Sequence, residues 1–291
     1  MRTTKLIDGL GWPEGPTVLP DGRVVFVESY RSQLTVWSPD GVAPFAYTAG
    51  APNSSVLGAD GALFVCQNGG TVGPWRAPEM TKPSIQRVDR EGSRAEIVAT
   101  EIEGIPLNGP NDLVFGPDGW LYFTDPGAYD PKAPQPSYIH SLDPSGQGHI
   151  VIAFGTPVFP NGVAVYDDGT IVWDESYTGH VRRRRPNGSI EDLGRMPGAN
   201  PILDGLKIGA DGRLYVTDIV GKGIHVLASD GSVEDFIRVG GGPTNCAFDG
   251  EDLYLTDSGT PADSADASYG GALWRIELGR PGQALTQGRI G

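Results

Sequence analysis

Apolar and polar positions alternate along this chain in a unit that returns six times. Each unit is a short apolar run, an Asp-Gly turn and a second, almost wholly apolar run, as in PNDLVFGPDGWLYFTD from Pro110 to Asp125. Asp-Gly between two apolar runs is typical of a β-hairpin. The pattern therefore predicts six hairpins, which begin at Glu14, Asn53, Asn111, Asn161, Asp204 and Asn245.

The spacing of the hairpins predicts how they are arranged. Successive units start 39 to 58 residues apart, and a repeat of about 40–50 residues with several short strands is typical of a β-propeller blade. The first blade accommodates four strands, at Thr17–Leu19, Val24–Val27, Gln33–Trp37 and Pro44–Tyr47. The sequence predicts an all-β protein, a six-bladed β-propeller that occupies residues 1–291 as a single domain.

The last blade lacks a fourth strand of its own. After Asn245 the sequence offers Cys246–Phe248, Leu253–Thr256 and Ala272–Leu278. An open ring of blades would leave a sheet edge exposed. We therefore expect the N-terminal segment Thr4–Ile7, which precedes the first blade, to close the last blade as its outer strand.

The first residue of every unit carries a side-chain oxygen, two as carboxylates and four as carboxamides. Because each of these residues begins the innermost strand of a blade, all six should form a ring at one end of the central channel. Oxygen ligands without His or Cys suit a hard divalent cation such as calcium, magnesium or manganese. The ring therefore predicts a metal site; the alternative is that these side chains only cap strand starts.

A second polar residue ends each hairpin: Glu28, Gln67, Asp125, Glu175, Asp218 and Asp257. In an antiparallel hairpin the first residue of one strand faces the last residue of the other. Counting from the turn predicts these pairs: Glu14 with Glu28, Asn111 with Asp125, Asn161 with Glu175, and Asp204 with Asp218. The outer residues either orient the metal ligands from behind or cap the ends of strands.

Three long insertions follow second strands, at Asn68–Ser84, Pro126–Ser137 and Ser258–Gly270. We expect them to rise over the end of the channel that carries the ring, because long loops on a rigid scaffold usually build a binding site. Trp75, Tyr129 and Tyr269 in these loops can pack on a sugar or alicyclic ring, so the loops should select the substrate. Asp263 and Asp266 fit a flexible polar loop better than a calcium loop.

Charge and composition narrow the classes of partner. The net charge of −14 disfavours nucleic acid and anionic membranes, and it suits a cation or simple solubility. No apolar stretch approaches a membrane span of roughly 18 residues. The first residues, MRTTKLIDGLGWPEG, lack the apolar core of a signal peptide, so we expect a cytoplasmic protein with Cys66 and Cys246 reduced. Serine hydrolase, zinc protease and P-loop motif spacings are absent.

Four segments resemble one known family, over essentially the whole chain and in the correct order. They are WPEGP at Trp12–Pro16, GPNDLVFGPDG at Gly109–Gly119, PNGVA at Pro160–Ala164 and DGLK at Asp204–Lys207. The chain is similar to the gluconolactonase, senescence marker protein (regucalcin) and luciferin-regenerating-enzyme-like family. This resemblance implies a six-bladed propeller with one divalent metal in the channel.

Matching the motifs residue by residue carries the family's functional positions onto this sequence. The resemblance implies that Glu14, Asn161 and Asp204 bind the metal and that Asn111, beside it, contacts water or substrate. In animal sugar lactonases of the family an arginine two residues before that asparagine binds substrate. Gly109 occupies this position here, so the pattern is nearer to the bacterial lactonases.

Together these features predict a metal-dependent hydrolase that opens a small lactone, with a sugar lactone as one possible substrate. The cation, expected to be calcium with zinc, manganese or magnesium as alternatives, would polarise the carbonyl and activate water. Asp204 would be the general base and Asn111 would hold the water or the developing oxyanion. The expected pocket walls are Tyr30, Trp75, Tyr129 and Tyr177.

Two other functions remain open from the sequence. The same metal could serve ester or organophosphate hydrolysis. Alternatively, the propeller could bind a metal or a ligand without catalysis, since a fold alone does not set function.

Overall fold

The computed structural model describes residues 1–259 and 265–291, which form a β-propeller. Six four-stranded antiparallel sheets form its blades, and the only described helix is a single 3₁₀ turn at Ser29–Arg31. Neighbouring inner strands contact one another around the whole ring, including the first against the last. The predicted all-β, six-bladed architecture is confirmed.

The strands follow one another blade by blade. Strand β1 (Arg2–Leu10) precedes blade 1, which contains β2 (Pro13–Val18), β3 (Val24–Glu28), β4 (Gln33–Ser38) and β5 (Gly41–Tyr47). Blade 2 contains β6 (Pro52–Leu57) and β7 (Leu63–Gln67) and, after a short hairpin of β8 (Thr71–Val72) and β9 (Trp75–Arg76), β10 (Ser84–Val88) and β11 (Ala95–Ala99). A second short hairpin, β12 (Glu101–Ile102) with β13 (Ile105–Pro106), leads to blade 3.

Blade 3 contains β14 (Leu113–Phe115), β15 (Leu121–Asp125), β16 (Tyr138–Leu142) and β17 (Gly148–Ala153). Blade 4 contains β18 (Pro160–Val165), β19 (Ile171–Glu175), β20 (His180–Arg184) and β21 (Ile190–Arg195). Blade 5 contains β22 (Leu203–Ile208), β23 (Leu214–Asp218), β24 (Gly223–Leu227) and β25 (Val233–Arg238). The last three strands are β26 (Pro243–Asp249), β27 (Asp252–Asp257) and β28 (Gly271–Glu277).

Strand β1 closes the last blade. It pairs antiparallel with β28, so that the order in blade 6 is β1-β28-β27-β26. The predicted outer strand at Thr4–Ile7 is confirmed and is longer than expected. The N-terminal segment thereby covers an edge of β28 that would otherwise be free to pair with another chain.

The core lies between neighbouring blades. Six apolar clusters fill the six interfaces, and second strands such as β3 and β7 are buried at every residue because both of their faces pack against neighbours. Phe64 of blade 2, for example, meets Phe115 of blade 3 edge to face, with ring centroids 5.5 Å apart. Burying one such side chain contributes about 1.5–3 kcal/mol.

The predicted pairing within the hairpins is wrong by one residue. Pro13, not Glu14, is paired with Glu28, and in the same way Pro160 faces Glu175 and Leu203 faces Asp218. Each of these inner strands contains a β-bulge near its start, between Glu14 and Thr17, between Pro160 and Val163, and between Leu203 and Leu206. A bulge inserts an extra residue and re-aims its side chain, and this places the polar residue toward the channel.

In blade 3 the predicted neighbour of Asn111 is also displaced. The regular pairing of β14 begins at Leu113. The Asn111 N–H donates to the carbonyl oxygen of Thr124, at 2.9 Å, and not to Asp125.

The sixth ring residue was also predicted wrongly, because the turn of the last unit is shorter than the others. Pro243 pairs with Asp257, so Thr244 is the residue of blade 6 that corresponds to Glu14 and Asp204. Asn245 lies one residue further, at the position that Gly205 holds in blade 5. The Thr244 hydroxyl donates to Pro13 O at 2.8 Å and so links blade 6 to blade 1.

The C-terminal segment crosses the opposite end of the channel. Gln283 N donates to Ile208 O, Gly288 O accepts from Ala59 N, and Ile290 is buried among residues of blades 2 and 3. Residues 281–287 thereby border a cavity of about 400 Å³ beneath the inner strands. The part of the chain described here has no helix long and apolar enough to span a bilayer.

Candidate metal and substrate site

Five residues that begin inner strands meet in one cavity of about 160 Å³ at the end of the channel where these strands start: Glu14, Asn53, Asn111, Asn161 and Asp204. The Asp204 carboxyl group contacts the side chains of both Glu14 and Asn161. These three residues, from blades 1, 4 and 5, form the floor of the cavity. The structure thus brings together the residues implied as metal ligands; their roles stay predictions.

Two oxygen atoms on this floor have no protein partner. Glu14 Oε1 and Asn161 Oδ1 are fully buried and accept no hydrogen bond. A buried polar atom without a partner costs about 1–3 kcal/mol, and more if it is charged. Together with the Asp204 carboxylate, these oxygens fit a hard cation, which prefers carboxylate and amide oxygen ligands.

The carboxylates alone do not make a complete metal site. No group of three or more His, Cys, Asp and Glu side chains suited to a metal occurs in the described ranges. A donor set for a cation would therefore have to include a carboxamide, and Asn161 is the candidate. Its Nδ2 donates to Ser176 Oγ at 3.0 Å, whereas its Oδ1 has no protein partner.

Burial disfavours the ionised form of the Glu14 and Asp204 carboxyl groups when no cation is bound. It raises the pKa of Glu14 well above its usual range, and repulsion from Asp204 and Asp112 adds to the effect. Burial likewise raises the pKa of Asp204, with further repulsion from Asp174. A divalent cation would offset both effects, because an adjacent positive charge favours ionised carboxylates.

A chain of hydrogen bonds orients Glu14. Asn245 Nδ2 donates to Glu14 Oε2 at 3.2 Å, and Asn245 Oδ1 accepts from Lys207 Nζ at 2.9 Å and from Cys246 N at 2.8 Å. A lysine ammonium can only donate, so the oxygen of the Asn245 amide must face Lys207. The NH₂ group therefore faces Glu14 Oε2, and Oε1 has no protein partner.

Asp112 and Lys207 form a second layer beneath the floor. Asp112 accepts from Ser54 Oγ at 2.7 Å, Val163 N at 3.2 Å and Lys207 Nζ at 3.4 Å. The sequence analysis missed these two residues because it considered only the first residue of each unit. Both residues could have been selected from the sequence, because Asp112 lies in the segment GPNDLVFGPDG and Lys207 ends the segment DGLK, two of the segments that resemble the family.

The outer acids cap backbone segments and do not bind the predicted metal ligands. Glu28 accepts from Gly11 N at 2.8 Å, Asp125 from Gly109 N at 2.7 Å and Asp257 from Gly242 N at 2.7 Å. Each of these amides lies just before an inner strand. Gln67 and Asp218 bond to such amides too, whereas Glu175 accepts from Thr178 and Arg182. The capping alternative is the one that the described contacts favour.

The residues predicted to contact the substrate lie either at the surface of the cavity or behind it. Asn111 and Tyr129 line the cavity. Tyr177 packs on Tyr129, with ring centroids 5.3 Å apart. Tyr30 and Trp75 are each 6% exposed and pack together at 4.8 Å in the wall behind the lining residues.

Other lining residues were not predicted. Trp12, Phe159, Ile202, Ile219 and Val220 border the cavity. Trp12 lies two residues before Glu14 in the WPEGP segment, which was a signal for it. The remaining four lie in the segments before or after the inner hairpins. The repeated pattern does not extend into these segments, so it could not select the four residues.

Part of the third insertion is described. Tyr269 is 49% exposed, and the Arg31 guanidinium lies 4.8 Å from its ring centroid. Residues 260–264, and Asp263 with them, lie outside the described residues.

Both cysteines are free and buried in this structure. Cys66 packs in the apolar cluster between blades 2 and 3. Burial raises the pKa of Cys246 to about 12, and the thiol is therefore uncharged at neutral pH.

The fold and this cavity define a six-bladed propeller with oxygen-bearing side chains at one end of its channel. Residues 12–259 match the family model described as "SMP-30/Gluconolactonase/LRE-like region", and the chain belongs to this family. The resemblance noted from the sequence motifs is thereby confirmed.

Individual relatives agree with this assignment. The gluconolactonase of Zymomonas mobilis is 27% identical over an alignment of 282 positions that covers 85% of this chain and 76% of the relative. A gluconolactonase structure from Xanthomonas campestris is 23% identical, with a TM-score of 0.75 over 96% of this chain and 89% of the other. A calcium-binding regucalcin structure from Agrobacterium tumefaciens is 18% identical, with a TM-score of 0.78 over 98% and 96% of the two chains. At these identities the two structures show a common fold.

Proposed function

We propose that this protein is a metal-dependent lactonase that opens a small lactone by adding water at the floor of the cavity. The observation that carries the proposal is the pair of buried oxygens without partners, Glu14 Oε1 and Asn161 Oδ1, beside the Asp204 carboxyl group. Family membership and the gluconolactonase relative support a lactone as the substrate.

Glu14, Asn161 and Asp204 would hold one divalent cation, and calcium suits their oxygen-only donor set. The name of the regucalcin structure, a calcium-binding protein of the same fold, also supports this choice. When bound, such a cation would polarise the lactone carbonyl and make a water molecule more acidic.

Asp204 serves as the general base in this proposal. A carboxylate has two oxygens with several lone pairs, so one oxygen can hold the cation while the other accepts a proton from water. Burial raises the pKa of Asp204 in the cation-free protein, and a bound cation would offset this rise, so that Asp204 is ionised and able to accept the proton.

Asn111 completes the reaction centre. Its carboxamide reaches the cavity from blade 3 and can donate to the oxyanion that develops as water attacks the carbonyl. Trp12, Tyr129 and Phe159 surround this point with apolar surface and exclude other water molecules.

The experiment is proton release from a panel of lactones by protein stripped of metal, before and after calcium is added. Hydrolysis should be negligible without the cation and should return with it. Asp40→Asn, at an exposed turn, is the matched control for Asp204→Asn and should keep full activity. Equal hydrolysis with and without every divalent cation would contradict the proposal.

A further inference from the structure

Apolar side chains border the cavity on three sides above the proposed metal-binding floor. Trp12 and Val72 border it on the side of blades 1 and 2, and Tyr129 and Phe159 on the side of blades 3 and 4. Ile202, Ile219 and Val220 border it on the side of blade 5. This hydrophobic mouth lies directly above Glu14 and Asp204, the only charged residues among the described lining residues.

The aromatic sides are rigid. Trp12 packs on Tyr30 at 5.8 Å, and Tyr30 packs on Trp75 at 4.8 Å. On the opposite side, Tyr129, Phe159 and Tyr177 form a closed trio with centroid distances of 5.1 to 5.3 Å. Side chains fixed in this way offer a preformed surface for an apolar group, without a large cost in side-chain entropy.

Two polar side chains on the wall are already bonded to the protein. Asn68 Oδ1 accepts from Gly70 N and Thr71 N, and Asn68 Nδ2 donates to Thr71 O at 2.9 Å. Ser176 Oγ donates to Leu203 O at 2.6 Å and accepts from Asn161. A ligand hydroxyl placed against Asn68 or Ser176 would have to break an existing hydrogen bond or stay unpaired.

We propose that the substrate is a lactone whose ring carries an alkyl or aryl substituent, and not a polyhydroxylated sugar lactone. The inference rests on the proposed function for the reaction itself. The carbonyl would lie at the polar floor, and the substituent would lie in the hydrophobic mouth. Each buried methylene favours binding by about fourfold, and each buried hydroxyl without a partner opposes it by about tenfold.

The first experiment compares three δ-lactones with a common ring in the calcium-loaded protein. The values of kcat/KM, each divided by the spontaneous hydrolysis rate, should rank δ-decalactone above δ-valerolactone and δ-valerolactone above glucono-δ-lactone. We expect at least about a tenfold difference at each step. A higher value for glucono-δ-lactone than for δ-decalactone would overturn the inference and leave the lactonase proposal intact.

A pair of matched valine variants tests where the substituent lies. Val220 is 47% exposed at the mouth, and Val233 is 41% exposed on the outer strand of the same blade. Val220→Thr should lower the ratio of δ-decalactone to δ-valerolactone turnover by about fourfold, and Val233→Thr should not change it. An unchanged ratio in Val220→Thr would contradict the assigned location.

Binding of unreactive analogues separates this inference from the catalytic one. The lactam analogues of δ-decalactone and glucono-δ-lactone replace the ring oxygen with N–H, and their binding is measured by calorimetry. Tighter binding of the alkyl lactam would support the inference even if no lactone is hydrolysed, a result that would contradict only the proposed function. Tighter binding of the sugar lactam would contradict the inference.

Discussion

Glu14 uses its two carboxylate oxygens for different purposes. Oε2 accepts a hydrogen bond from Asn245, whereas Oε1 is buried without a partner. The same division holds at Asn161, whose Nδ2 is bonded and whose Oδ1 is not. Both residues thus keep one buried oxygen without a partner, and both side chains contact the Asp204 carboxyl group, which is the basis for the proposed cation site.

Asp204→Asn tests whether Asp204 is a base as well as a ligand. An amide oxygen can still bind a cation, but it cannot take a proton from water at neutral pH. Turnover of the metal-loaded variant should fall by about 10²–10⁴-fold, a much larger loss than that of calcium affinity. Calorimetry and single-turnover rates measure the two quantities, and equal losses would show that Asp204 only holds the ion.

Asn245→Ala removes one of the two hydrogen bonds to Glu14 Oε2, leaves the one from Gly15 N, and spares the three proposed ligands. Calcium affinity should fall by about 10–100-fold, as is usual when a partner of a metal ligand is lost. Asn200→Ala, at an exposed position, is the control. Unchanged affinity in Asn245→Ala would mean that Glu14 does not depend on this bond.

The pKa shifts predict how calcium binding depends on pH. Burial raises the pKa of Glu14 and of Asp204 in the cation-free protein, so protons compete with the cation at acidic pH. Affinity should rise as the pH increases through these raised pKa values, and binding should release protons. Calorimetry in buffers of different ionisation enthalpy counts these protons; affinity that does not change with pH would contradict the assignment.

The raised pKa values of Glu14 and Asp204 also determine whether the cation-free protein gains or loses stability as the pH rises. Each carboxyl group has a higher pKa in the folded state than in the unfolded chain, so the folded protein retains protons that the unfolded chain has lost. The cation-free protein should therefore lose stability as the pH rises from the unfolded-state pKa of about 4 toward the folded-state values. Saturating calcium should remove this loss.

Single residues were predicted where the repeat defines their position. Glu14, Asn161 and Asp204 each begin a hairpin unit, and comparing the six units was enough to select them. Asn245 was assigned to the ring wrongly because the turn in the last unit is shorter, so counting from it selected the residue after Thr244. Asp112 and Lys207 were missed because their importance comes from contacts that join blades 2 to 6, which no single unit shows.

At the scale of elements, the β-bulge in the inner strands decides which way the polar residues point. The sequence predicted the hairpins from their Asp-Gly turns and apolar runs, and the strands were found where expected. The bulge shifts the pairing of Glu14, Asn161 and Asp204 by one residue. Counting residues from a turn cannot reveal a bulge, because the inserted residue leaves no mark in the apolar pattern.

The glycine after the bulged residue is required by close packing of inner strands. A Cβ atom at Gly162 would lie 2.5 Å from Asp204 O and also against Leu206 N, both of them backbone atoms of blade 5. Gly162→Ala should therefore lower the free energy of unfolding by about 1–3 kcal/mol. Gly155→Ala, whose Cβ would meet nothing within 4 Å, is the control, and equal stability of the two variants in urea would contradict this account.

At the scale of the whole molecule, the two termini have different roles and were not equally predictable. Strand β1 was expected because blade 6 lacked a strand and an open edge is unfavourable. The C-terminal segment across the far end of the channel was not expected, because residues 279–291 carry no regular apolar pattern. Its contacts with blades 2 to 5 depend on the closed ring and cannot be deduced from local sequence.

The most direct test of the whole account is a calcium titration of metal-stripped protein in which bound calcium and lactone hydrolysis are measured in the same samples. Activity should rise in proportion to bound calcium and reach its maximum at one ion per chain, and Glu14→Gln should shift both curves together to higher calcium concentration. Full hydrolysis in samples without bound metal, or calcium binding that brings no hydrolysis of any lactone, would contradict the account.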